Sequence, residues 1–253
     1  MEITSYESGF FCFPELNTHG VEAAKRFYQA VLGWTTFDVP GAQGSYSLAR
    51  ANGKDVAGIH LSTRGEPSWL HYVSVESTDR AAARATELGG TVEVAPFDVH
   101  GVGRMAMIQD PAEARFALWQ ATGMIGARLA DEPGAPAWYE LITHRLELAT
   151  RFYEALFGWS APEKSLPEVG PYSVARIGER QVAGLMSIRK EWGDGVIARW
   201  QVYFAVADCA RSVATARTLG ADVYTGPNLV KGFGRFAVMA DPEGAVFCVV
   251  EPS

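Results

Sequence analysis

Two passages of this chain repeat each other closely enough to dictate its architecture. Glu15-Leu16-Asn17-Thr18-His19 leads through Arg26-Phe27-Tyr28 to Gly33-Trp34, and Glu140-Leu141-Ile142-Thr143-His144 leads through Arg151-Phe152-Tyr153 to Gly158-Trp159. The offset is constant at 125 residues (140 − 15 and 159 − 34). Such a repeat implies internal duplication of a structural unit. Each passage reads as a short strand, a turn, an amphipathic helix and a glycine stop. In the first copy Val21, Ala24, Phe27, Tyr28, Val31 and Leu32 fall at three- and four-residue steps, which predicts one buried helical stripe. Thr18 is the expected cap, and Gly33 ends the helix where a positive φ is cheap.

The likeness runs further. Short strands are predicted over 34–39, 45–50 and 56–61, with Asn52-Gly53 marking a hairpin between the last two. That makes a strand-helix-strand-strand-strand unit. A second unit of the same order follows: strand 69–76, an alanine-rich helix 79–88, and strands 91–94, 103–109 and 115–120. The third unit repeats the first, with Tyr46-Ser47 returning as Tyr172-Ser173 and Val56-Ala57-Gly58 as Val182-Ala183-Gly184. The fourth repeats the second: Trp69, Tyr72, Gly103-Arg104 and Asp110-Pro111 return at an offset of 131 as Trp200, Tyr203, Gly234-Arg235 and Asp241-Pro242. Gly123, Gly126, Pro133 and Gly134 mark residues 123–135 as a linker. The expectation is an α+β protein of four βαβββ modules in two tandem domains. The first covers 1–122 (modules about 9–62 and 68–121) and the second 136–253 (modules about 136–188 and 199–251). A length of 253 residues suits two domains.

Charge and cysteine content narrow the partners. A formal net charge of −7 argues against nucleic acid or an anionic membrane, since both call for a basic face. No apolar run approaches the ~20 residues of a membrane helix. Met1-Glu2-Ile3-Thr4-Ser5 has no basic region followed by an apolar run, so no signal peptide is read. Cys12, Cys209 and Cys248 are far apart and odd in number, without metal-binding spacing, which fits core thiols in a reducing cytoplasm. A cytoplasmic monomer or homodimer is expected.

The paired modules, the helix ending in Arg151-Phe152-Tyr153-Glu154-Ala155-Leu156-Phe157-Gly158-Trp159, the matching Arg26-Phe27-Tyr28 and the late Asp241-Pro242-Glu243-Gly244-Ala245-Val246-Phe247 together resemble the vicinal oxygen chelate superfamily. That superfamily includes glyoxalase I, extradiol dioxygenases, and bleomycin and fosfomycin resistance proteins, and the closest flavour is a two-domain, actinobacterial "hydroxylase"-like branch. The resemblance implies tandem glyoxalase-like domains, each with a curved mixed sheet forming a cup for ligand and, in enzyme members, for a divalent metal held by inward-facing His and Glu. Aligned to that pattern, the ligand positions fall at Phe13, His60, Leu70 and Ala117 in the first domain. In the second they fall at Trp138, Met186, Gln201 and Cys248. Only His60 is a usual ligand, so no metal or other cofactor is expected.

A looser search of the first cup gathers Glu15, His60 and His71, a set able to act as acid–base residues or, as the alternative, as a two-His, one-carboxylate metal site. The plainer reading makes the two histidines cup-lining or surface residues. Candidate ligand-binding residues are Phe13, Trp69, Trp119 and the rim-loop His100 in the first domain, with Trp138, Glu140, Gln201 and Tyr203 in the second. Aromatics on a concave sheet suit a planar aromatic ligand. His19 and His144 are read as packing or capping residues, and Arg104 as one half of a structural ion pair. Two functions stay open: a metal-independent protein binding an aromatic natural product or antibiotic, with a role in resistance or biosynthesis, and an isomerase, lyase or hydroxylase/dioxygenase-like enzyme on the same scaffold.

Overall fold

A computed structural model describes residues 1–39, 46–99, 101–166, 170–193 and 195–253. The first half runs β1 (Phe11–Thr18), α1 (Val21–Leu32), β2 (Thr35–Asp38), β3 (Tyr46–Ala51), β4 (Lys54–Leu61), β5 (Ser68–Ser74), α2 (Thr78–Glu87), β6 (Thr91–Val99), β7 (Gly103–Gln109) and β8 (Arg115–Ala121). The second half repeats it as β9 (Pro136–Thr143), α3 (Leu146–Phe157), β10 (Glu163–Leu166), β11 (Gly170–Ile177), β12 (Arg180–Ser187), β13 (Arg199–Ala205), α4 (Cys209–Thr218), β14 (Asp222–Val230), β15 (Gly234–Ala240) and β16 (Val246–Pro252). Each half forms one eight-stranded sheet. The orders are β2-β3-β4-β1-β5-β8-β7-β6 and β10-β11-β12-β9-β13-β16-β15-β14. Two modules thus join through their first strands, β1 antiparallel to β5 and β9 antiparallel to β13.

Local chemistry accounts for most element ends. Gly33 and Gly158 close α1 and α3 in the left-handed region (φ 75° and 70°), which costs glycine least. Asn52 and Gly53 both take positive φ between the paired Ala51 and Lys54, the tight turn their side chains favour. The expected cap of α1 is displaced: Gly20 occupies the N-cap position. The Thr18 hydroxyl accepts the Gly20 N–H at 3.2 Å and donates to the Glu243 carboxylate of the other half. The second strand of the second module is longer than expected, β6 running through Pro96 to Val99. It is an edge strand with register shifts, where a residue lacking an N–H is tolerated.

The helix-bearing faces of the two sheets pack against each other, α1 against α4 and α2 against α3. One apolar core spans both halves. It is stitched by a reciprocal exchange that follows the duplication. The Tyr28 hydroxyl donates to Asp241 at 2.9 Å, and the Tyr153 hydroxyl to Asp110 at 2.8 Å. Trp69 Nε1 donates to the Tyr28 oxygen and Trp200 Nε1 to the Tyr153 oxygen, at 3.2 and 2.7 Å. Trp34 reaches the Gly134 carbonyl and Trp159 the Gly9 carbonyl. The Phe-Tyr and Gly-Trp pairs that define the repeat therefore build the junction between its copies. Packing this core leaves the opposite face of each sheet to form a cup.

Candidate functional site

Alternation along the strands decides which side chains enter the cups. In the first sheet β1 pairs Glu15 with Leu70 and Phe13 with Tyr72, and β4 sets His60 beside Asn17. These residues share the cup face. Phe13, Leu70, Tyr72, Met105, Ala117 and Trp119 form its apolar lining. The tyrosine ring sits edge-on to both Phe13 and Trp119.

Among this lining lies a carboxyl group. Glu15 is 9% exposed, and each carboxylate oxygen accepts one phenolic hydrogen: Oε1 from Tyr72 at 3.0 Å, Oε2 from Tyr46 at 2.8 Å. Burial raises the Glu15 pKa, against the two tyrosine hydrogen bonds and the nearby His60. Burial also pushes both phenols well above their ordinary range. His60 is partly exposed, and its Nδ1 lies 3.1 Å from the Asn17 Oδ1, which fixes the ring's orientation. Tyr46 reaches Glu15 only because residue 58 is glycine: a Cβ there would collide with the Tyr46 hydroxyl and crowd Phe13.

The second cup carries the same device. Glu140 Oε1 accepts from Tyr203 at 2.8 Å and Oε2 from Tyr172 at 3.0 Å, and Gly184 leaves room for Tyr172. Burial again raises the carboxylate's pKa. Trp138 adds a hydrogen bond from Nε1 to the Tyr172 oxygen at 3.3 Å, while Gln201 pairs across from Glu140. Tyr46 and Tyr172 are functional candidates that reading the sequence for metal ligands passes over. Their trace was there: glutamate, two tyrosines and a glycine all persist between copies.

Two expected site residues belong elsewhere. His71 and Trp69 flank Leu70, so alternation turns both away from the cup and into the junction between the sheets. The His71 ring lies edge-on to Tyr139 at 5.8 Å, and Trp69 packs on Tyr28, Trp34 and Phe204. His71 is 1% exposed, neither ring nitrogen has a partner among the described residues, and burial lowers its pKa to about 3. It is a neutral core imidazole, not a companion of Glu15. Of the ligand-binding candidates, Phe13 and Trp119 line the first cup, and Trp138, Glu140, Gln201 and Tyr203 the second. His100 lies outside the described residues. His19 and His144 each bind a carbonyl of the loop entering the next module, Gly65 and Val196, both at 3.0 Å. Arg104 pairs with Asp79 and Asp98.

The donor set does not fit the divalent metal that the fold suggests. With His71 on the far face, the described residues of the first cup offer one imidazole, His60, and one carboxylate, Glu15, whose two oxygens are already taken by phenols. The second offers Trp138, Met186, Gln201 and Cys248 around an equally occupied Glu140. No group of three His, Cys, Asp or Glu among the described residues is placed to hold an ion.

A family model described as a glyoxalase-like domain matches residues 15–119 and again 141–250. The chain belongs to the glyoxalase-like family. It is 37% identical over 257 residues to "Putative glyoxylase CFP32" of Mycobacterium bovis, covering 99% of this chain and 97% of that one. It is 34% identical over 267 residues to "Anthracycline biosynthesis protein DnrV" of Streptomyces peucetius, covering 98% and 95%. Among solved structures it resembles an Mn(II)-bound glyoxalase from Novosphingobium aromaticivorans (TM-score 0.65, 15% identity, 96% of this chain and 82% of that one). It also resembles a variant of homoprotocatechuate 2,3-dioxygenase from B. fuscum (TM-score 0.68, 14% identity, 98% and 72%). At such identities the structures attest the fold alone. No helix among the described residues is long and apolar enough to cross a membrane.

Proposed function

We propose that this protein binds a planar, polycyclic aromatic small molecule in its first cup, without a metal, and serves aromatic natural-product metabolism. One observation carries the reading: a buried carboxylate, held between the Tyr46 and Tyr72 hydroxyls, sits in a wall of Phe13, Tyr72, Met105 and Trp119. Apolar walls with a few convergent polar groups are the usual make-up of a small-molecule site. Aromatic rings add offset or edge contacts worth about 0.5–1.5 kcal/mol each beyond their area. A ligand with hydroxyl or quinone oxygens would find acceptors and donors in Glu15, the phenols and His60. The name of the Streptomyces peucetius relative supports this ligand class.

The same geometry favours a second reading, catalysis of proton transfer on such a ligand. A carboxylate whose pKa is raised by burial, near a partly exposed imidazole, is a better proton acceptor than a free carboxylate and is suited to accept and return a proton. Tryptophan quenching by a panel of hydroxyanthraquinones and hydroxynaphthoquinones, read with chelator-treated protein, tests binding. Saturable quenching weakened in Tyr72→Phe and Glu15→Gln is expected. Quenching indifferent to both substitutions would refute the first-cup site. Turnover of a bound quinone that His60→Ala or Glu15→Gln abolishes would move the protein to the catalytic reading.

A further inference from the structure

The two cups differ most sharply at one place. Strand β13 sends Arg199, Gln201 and Tyr203 to the cup face, since they pair with Ile142, Glu140 and Trp138. The residue of β5 corresponding to Arg199 is Ser68, at the 131-residue offset that relates Trp200 to Trp69. Strand β13 therefore places a guanidinium where β5 places a hydroxyl.

Among the described residues no anion pairs with that guanidinium. Arg199 is half-buried; its Nε is shut off from solvent and has no acceptor among the described residues. Nη1 donates to the Ile197 carbonyl at a long 3.4 Å. The polar groups it senses are Cys248, Tyr224 and Tyr203, and burial lowers its pKa. Glu140, the carboxylate of this cup, is committed through both oxygens to Tyr203 and Tyr172. Burying a guanidinium without a counter-charge is costly, and arginine's planar fork is the side chain best matched to a carboxylate. The surrounding wall is aromatic, with the Phe233 ring edge-on to Trp138 and Tyr203.

We propose that the second cup is a separate binding site for a planar aromatic acid, whose carboxylate bridges the free donors of Arg199 and whose ring lies against Trp138 and Phe233. Gln201, next on the same face of β13, is placed to bind a neighbouring oxygen. The site stands apart from the first-cup reading and does not rest on it. A protein of this kind could hold an acidic aromatic and a polycyclic aromatic at once, one per domain.

The test compares 2-naphthoate with its neutral analogue 2-naphthamide by calorimetric titration of the full chain. A charge-assisted bidentate contact predicts that wild type prefers the acid by about ten- to a hundred-fold. Arg199→Gln should abolish that preference while folding normally by circular dichroism. It should also melt no lower than wild type without ligand, because a buried unpaired charge has been removed. Arg199→Lys, which keeps the charge and loses the fork, should retain only part of the preference. Equal affinity of wild type for acid and amide would overturn the proposal, as would no binding of the acid. So would an acid preference that survives in Arg199→Gln. None of these outcomes touches the first-cup reading, which fails instead on Glu15 and Tyr72 variants with quinone probes.

Discussion

Removing one oxygen atom, in Tyr28→Phe, should destabilise both domains together. The Tyr28 hydroxyl is fully buried, donates to Asp241 at 2.9 Å and accepts from Trp69 Nε1 at 3.2 Å. Phenylalanine keeps the ring contacts with Trp34, Trp69 and Phe247 but orphans an acceptor and a donor where water does not reach. Each orphaned group costs about 1–3 kcal/mol. Asp241 remains partly satisfied, since Oδ1 still accepts the Glu243 and Ala245 N–H groups. The expected loss is therefore about 2–4 kcal/mol. Tyr153→Phe removes the mirror pair of bonds, to Asp110 and from Trp200, and should cost a similar amount. Urea unfolding followed by circular dichroism reads the effect as a lower midpoint at unchanged slope. Since Tyr28 and Asp241 come from opposite halves and share one core, the chain should unfold in a single transition. A change below about 0.5 kcal/mol, typical of a surface substitution, or two separated transitions, would refute the junction described above.

Three other outcomes follow from the same geometry. Burial raises the Glu15 pKa above its ordinary 4.5, so the folded state keeps a proton that the unfolded state gives up. Stability from this group is whole below pH 4.5 and lost as pH rises through the raised folded value. Glu15→Gln should accordingly gain in melting temperature over wild type as pH climbs from 4.5, with no gain below; a pH-independent difference would contradict this. His71 shows the opposite pattern: its folded pKa of about 3 against 6.5 lets the unfolded state take up a proton first, so stability falls as pH drops below 6.5. His71→Leu should be more stable than wild type at pH 5 by about 2 kcal/mol from this linkage, seen as a shallower acid limb in thermal melts. Gly58→Ala drives a Cβ into the Tyr46 hydroxyl and should cost about 1–3 kcal/mol, as overpacking does. Adding Tyr46→Phe should relieve part of that cost, and strictly additive effects in the double-mutant cycle would argue against the contact.

The duplication and the module order were readable from residues, because strand periodicity, Asn-Gly and Gly-Trp carry local backbone preferences; the glyoxalase-like fold was implied by the family resemblance of residues 151–159 and 241–247. The faces were harder to read. Leu70 points into the cup, and a strand period of two then forbids Trp69 and His71 from doing so. Gathering His71 with Glu15 and His60 by residue type set that rule aside. Tyr46, legible as part of the repeat, is not legible as a site residue for a different reason. It reaches Glu15 from β3, two strands away across β4, and only the missing side chain at Gly58 lets it pass. Such a contact depends on a void, which no periodicity encodes; its one trace is that Glu15, Tyr46, Gly58 and Tyr72 all return as Glu140, Tyr172, Gly184 and Tyr203. The Arg199 asymmetry is of the same kind, visible as Ser68 against arginine but meaningful only once β13 is known to turn it inward.

The central claim is that phenols, not a cation, hold the buried carboxylates of both cups. Elemental analysis of the full chain, purified without a histidine tag, tests it most directly. The account predicts iron, manganese, nickel and zinc far below one per chain, with no difference between wild type, His60→Ala and Glu15→Gln. One equivalent of a divalent metal that disappears in either variant would contradict it.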